Sequence, residues 1–124
     1  FEDGPYYNFE CNAAGKMYIA CGMTREGRKQ VAAIHYHNVK RWTSFGRKTF
    51  KEKNGRQTWE VALIIPLDVM TSHHLRHPRG MTMRANFYKC GDKLAKPHFL
   101  SWNPVDCDHP DFHRPSSFGK ITFV

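Results

Sequence analysis

Apolar residues in this chain return at every second position, in short runs cut off by glycine and proline. In residues 58–67, TWEVALIIPL, Trp59, Val61, Leu63 and Ile65 fall on one side and Glu60, Ala62 and Ile64 on the other, until Pro66 stops the run. Side chains of a strand alternate between two faces, whereas a helix repeats at 3.6 residues. Residues 82–90, TMRANFYKC, alternate strictly. Thr82, Arg84, Asn86 and Tyr88 make a polar row, and Met83, Ala85 and Phe87 make a row apolar enough to face a core.

The same period appears elsewhere. Residues 5–13 place Tyr6, Asn8 and Glu10 on one face and Tyr7, Phe9 and Cys11 on the other. The turn AAGK around Gly15 leads into a second strand at 17–22, so these two predict a hairpin. Residues 31–39 alternate in part, with Ile34 and Tyr36 against His35 and His37. Segment 40–57 is polar with scattered aromatics, and its Asn54-Gly55 is a hairpin-turn signal. Residues 67–77 predict a short helix capped by Asp68 and stopped at Pro78. Residues 98–102 and 118–124 are further strands. Six or seven strands and one short helix predict an all-β antiparallel sandwich. At 124 residues it reads as a single domain, 1–124. Its opening FEDGPYYNFEC reads as a strand already under way, so partner strands upstream and a larger module are expected.

An arginine fork, an amide and a phenol in one row suit a sugar, whose hydroxyls both donate and accept. The C–H face of a pyranose packs on an indole, and Trp102 lies nearby between Ser101 and Asn103. The plain alternative is a solvated face with Trp102 in the core. His73 and His77 have the i, i+4 spacing of zinc ligands but no Glu at position 74. Asp106, Asp108 and Asp111 offer oxygen to calcium without the spacing of an EF-hand loop. Nucleophile-elbow and phosphate-loop motifs are missing. Glu10 and Glu60 are the strand carboxylates a glycosidase would have to bring together. The formal charge is +8, but the basic residues are dispersed and no run reaches the density of a nucleic-acid patch. Cys11, Cys21, Cys90 and Cys107 are too widely spaced for a metal knuckle and are expected mostly as free thiols. No run is apolar and long enough for a membrane span.

RANFYKCGD, then PHFLSWNPV, then PDFHRPSSFGKITF resemble the C-terminal part of family 9 carbohydrate-binding modules, closest to the family 9-like branch of Bacteroidetes. YYNFECNAAGKM and WEVALIIPLD are similar to that branch's middle strands, so the likeness spans nearly the whole chain. The resemblance implies a DOMON-like, jelly-roll-like β-sandwich that binds plant-type polysaccharide or oligosaccharide ends without catalysis of its own. It implies a secreted, periplasmic or cell-surface location, an attached catalytic module such as a xylanase in some relatives, and no required cofactor, with calcium allowed. Trp102 falls at the later of two tryptophans that clamp a terminal sugar in this family; the earlier one precedes the YYNFE strand. Arg84, Asn86, Tyr88 and Asn103 would support it, and Asn8 and Glu10 stand where xylanase-linked modules tend to carry an arginine. The alternatives are a polysaccharide hydrolase, and a haem-binding DOMON-like domain using Met17, Met23, Met81 or Met83 with a histidine.

Overall fold

The computed structural model describes residues 4–124. The first hairpin forms where the alternation is cleanest. Strand β1 (Tyr6–Cys11) pairs antiparallel with β2 (Met17–Gly22), from Tyr6 opposite Gly22 to Cys11 opposite Met17. The Asn12 side chain closes the turn, its Oδ1 accepting the N–H of Ala14 at 3.0 Å and of Lys16 at 2.9 Å. Gly15 takes φ +71° there, a left-handed conformation that costs glycine little. A short β3 (Lys29–Gln30) lies on the other edge of β2.

Register sorts the hairpin into two faces as expected. Tyr7, Phe9, Cys21 and Met17 turn toward a cluster built from Ile19, Val31, Val39 and Val69. Ile19 and Val69 are fully buried, and each such side chain contributes about 1.5–3 kcal/mol. Val31 and Val39 both belong to this cluster, and that explains a departure from expectation. An extended strand would hold them roughly 26 Å apart, at about 3.3 Å per residue. The chain instead makes a one-turn helix α1 (Ala33–Tyr36) that returns Val39 to the core beside Val31.

The expected helix over 67–77 is reduced to a single 3-10 turn, Leu67–Val69. Pro66, not Asp68, stands at its cap, and the buried Val69 anchors it. His73 and His77 therefore do not share a helix face. Strand β4 (Lys40–Thr43), in the polar segment with scattered aromatics, pairs with β5 (Val61–Ile64). Asn54-Gly55 falls within the long connection between them: Gly55 turns at φ +76°, but the ladder begins only at Thr43 opposite Val61. Phe45 meets Phe50 edge-on at 5.4 Å, and Lys53 sits 4.3 Å above the Phe45 ring. The Glu52 carboxylate accepts the Ala95 N–H at 3.1 Å, which ties this connection to the loop before Lys96.

The expected continuous strand 82–90 is two strands. β6 (Thr82–Ala85) pairs with β9 (Gly119–Thr122), whereas β7 (Tyr88–Cys90) pairs with β8 (Phe99–Ser101). A second 3-10 turn, Pro115–Ser117, precedes β9. Every ladder is antiparallel, and the chain is an all-β sandwich in small sheets with little helix. All four cysteines are free thiols. Among the described residues no helix is long and apolar enough to cross a membrane.

Candidate functional site

The break between β6 and β7 falls on Asn86, and its side chain is the cause. Its Oδ1 accepts the backbone N–H of Phe87 and of Asn103, both at 2.9 Å. Its Nδ2 donates to the carbonyls of Asn103 at 2.9 Å and Ser117 at 3.2 Å. An amide offers two donors and two lone pairs, so the capacity of Asn86 is filled by backbone. Asn103 repeats the pattern, donating from Nδ2 to Ser117 O at 2.9 Å. Arg84 turns its guanidinium onto the same segment, from Nε and Nη2 to Phe118 O at 3.0 and 2.8 Å, and from Nη2 to Ser116 O at 3.2 Å.

The polar row read from the alternation is therefore not one open face. Arg84 is exposed on β6, while Asn86 and Tyr88 are partly covered. Tyr88 stacks on Phe112, with centroids 4.2 Å apart and planes 13° from parallel. Its hydroxyl is buried without a hydrogen bond of normal geometry. Burial raises its pKa, and the nearby Asn86 amide offsets that only in part.

What lies open is the other side of β7–β8. Trp102 N–H donates to Phe87 O at 2.9 Å, extending the ladder one pair beyond Tyr88 opposite Ser101. Phe87 and Trp102 thus face the same way as the pair Lys89 and Leu100, since residues opposite each other and two apart share a face. Trp102 is 54% exposed, Phe87 62% and Leu100 65%, so the indole is a surface group and the core alternative does not hold. The Phe87 and Trp102 rings meet edge to face at 5.7 Å and 66°. Lys89 Nζ lies 2.8 Å from His98 Nε2, and His98 Nδ1 lies 3.0 Å from Lys96 O. A neutral His98 with its proton on Nδ1 satisfies both contacts.

Phe87 was expected in the core. The slip of phase at Asn86 turns it outward, and the one hint in the sequence is an asparagine in mid-strand, where it is disfavoured.

Asn8 and Glu10 belong to a different group. Arg28 donates from Nη1 to Asn8 Oδ1 at 2.7 Å and approaches Glu10 Oε1 at 4.0 Å. Asn8 Nδ2 donates to Glu10 Oε1 at 2.9 Å. Beside them the Tyr6 hydroxyl lies 3.3 Å from His113 Nδ1, and its ring meets Phe118 edge-on. Asp111 accepts from His113 N–H at 3.1 Å and pairs with Arg25 at 3.4 Å and Arg114 at 3.3 Å. Burial, helped by Arg28 and Arg25, lowers the pKa of His113. The His113 N–H is the largest influence holding Asp111 below the ordinary carboxylate range, with burial opposing it and Arg114 assisting. The polar partners of Asn8 and Glu10 are Arg28 and each other, and Trp102 is not among them. Arg28, twenty residues from Asn8 along the chain, reaches it only because β3 folds back on β2.

With the Asp111 carboxylate engaged by two arginines and a backbone N–H, calcium would have to displace those partners. Among the described residues no three His, Cys, Asp or Glu side chains converge to hold a metal ion. A cleft of about 460 Å³ opens elsewhere, between Gly22, Lys29, His35 and Ser72. Neither Trp102 nor Phe87 lines it.

The sequence profile described as carbohydrate-binding family 9 matches residues 1–123. The chain belongs to carbohydrate-binding family 9. A crystal structure of a candidate carbohydrate-binding protein from Bacteroides uniformis ATCC 8492 is similar to this family 9 chain over all of its length, with a TM-score of 0.93 and 43% identity. The chain spans 57% of that protein's length. No curated protein matches it. The fold implied by the resemblance, and a carbohydrate-binding family, are thus both established for the chain. Within the family 9 frame, the β7–β8 face combines a half-exposed indole, a second aromatic ring and a cation.

Proposed function

We propose that this family 9 chain is a non-catalytic module that binds plant-type polysaccharide, at chain ends or along the chain, outside the cytoplasm. The observation that carries the reading is the half-exposed Trp102 indole, braced by Phe87 on a rigid ladder, in a chain of a carbohydrate-binding family. Contiguous exposed apolar surface marks an interaction site, whereas single exposed apolar residues do not. The indole offers the apolar C–H side of a pyranose a flat partner, and burying that surface supplies binding energy. Lys89, on the same face, donates to sugar hydroxyls through the N–H groups that His98 leaves open.

In this reading Asn86 and Asn103 frame the platform, Arg84 and Tyr88 hold the strands that carry it, and Asn8 and Glu10 are structural. Delivery of an attached catalytic module to plant cell wall is the role such binding serves. Calorimetry on the full gene product with xylo- and cello-oligosaccharides tests it. Heat of binding that disappears in Trp102→Ala is expected. Absence of binding to any plant oligosaccharide by the unaltered protein overturns it.

A further inference from the structure

Gly119 opens β9, opposite Ala85. Glycine weakens a strand, so its presence there wants a reason. Backbone conformation is not the reason, because its φ lies outside the left-handed region that Gly15 and Gly55 occupy. Space is the reason. A β-carbon at this position would fall 2.8 Å from Trp102 Cζ3, 3.1 Å from Cη2 and 3.4 Å from Asn103 Cγ. Carbon atoms settle at about 3.5–4.0 Å, so the six-membered ring of the indole occupies the room a side chain would need.

The backbone that carries the indole is pinned. The Trp102 main-chain N–H is tied to Phe87 O and the Asn103 N–H to Asn86 Oδ1, while the Phe87 ring stands 5.7 Å from the indole. A methyl group at 119 must therefore rotate the ring out of its present plane. The contact also crosses between sheets, from the residue that follows β8 in one ladder to β9 in another.

We propose that Gly119 is a positioning residue of the carbohydrate site: by lacking a side chain it sets the tilt of the Trp102 indole, and so the plane on which a sugar ring packs. This rests on the reading of the β7–β8 face given above. Gly119 touches no ligand; it acts through Trp102.

The test is a double-mutant cycle on the full-length protein, with Gly119→Ala, Trp102→Phe and the pair, plus Trp102→Ala as reference. Phenylalanine lacks the outer ring atoms that reach position 119. Binding to xylo- and cello-oligosaccharides, the near-ultraviolet circular dichroism of the indole, and the melting temperature are read for each. Gly119→Ala is expected to weaken binding roughly five- to tenfold and to alter the indole signal, by an amount typical of a displaced anchor residue. In the Trp102→Phe background the same change should cost no further affinity, the signature of coupled neighbours. Equal loss in both backgrounds, or unaltered affinity in Gly119→Ala while Trp102→Ala abolishes binding, overturns the proposal and leaves the site reading standing. If Trp102→Ala itself binds as well as the parent, the site reading fails instead. Should Gly119→Ala alone not fold, recovery of folding by Trp102→Phe supports the contact, and failure to recover overturns it.

Discussion

Asn86 and Asn103 hold each other in both directions: the Asn86 side chain accepts the Asn103 N–H at 2.9 Å and donates to the Asn103 carbonyl at the same distance. One side chain thereby fixes the backbone on which Trp102 stands. Each hydrogen bond contributes about 0.5–1.5 kcal/mol, and an orphaned covered backbone group costs about 1–3 kcal/mol. Asn86→Ala removes four such bonds. A loss of roughly 2–4 kcal/mol in urea unfolding is expected. A loss under about 0.5 kcal/mol, the level of an ordinary surface change, would show that the clasp carries little.

Trp102 makes the opposite prediction. With half its surface already in water, Trp102→Ala should cost less than about 2 kcal/mol of stability, below the 3–5 kcal/mol of a core tryptophan. Its oligosaccharide binding should vanish from the calorimeter. Phe87→Ala should weaken binding less, because it removes the brace and leaves the platform.

Arg84 separates frame from site. Its fork reaches the carbonyls of Phe118 and Ser116, a geometry that a lysine's single ammonium does not reproduce. Arg84→Lys should lower stability by about 1–2 kcal/mol, given the strength of hydrogen bonds from charged donors. Oligosaccharide affinity should stay within about twofold, a difference under 0.5 kcal/mol. A selective loss of binding with unchanged unfolding would instead make Arg84 a ligand contact.

Acid should act through His113. Its folded pKa is lowered by burial, so the unfolded chain takes up a proton first as pH falls. Stability is then complete above the ordinary histidine value of about 6.5 and declines as pH falls below it. Asp111, with its pKa held low chiefly by the His113 N–H, contributes stability that is present above the ordinary carboxylate value of about 3.9 and is lost on further acidification. Melting temperature should therefore drop between pH 7 and 5, and His113→Gln should flatten that slope. A variant with the slope of the parent would assign the acid sensitivity to other groups.

Much of the framework can be read from residue order. Tyr7, Phe9 and Cys11 alternate with Tyr6, Asn8 and Glu10, and the hairpin keeps that division because a strand has only two faces. Asn12 and Gly15 specify its turn through local bonds. The strands at 98–102 and 118–124 were legible for the same reason, although their partners were not.

Residue order alone sets the β character of the chain, the division of its first hairpin into two faces and its carbohydrate-binding family, because these depend on period and on motifs a few residues long. Tertiary structure alone decided that Phe87 faces outward beside Trp102 while Asn86 turns in. That choice rests on hydrogen bonds to residues 17 and 31 positions further along the chain. It decided likewise that Arg28 serves Asn8 and that Gly119 makes room for an indole. Alternation says which side chains lie together only while a strand stays unbroken, and saturating one amide with backbone partners broke this one.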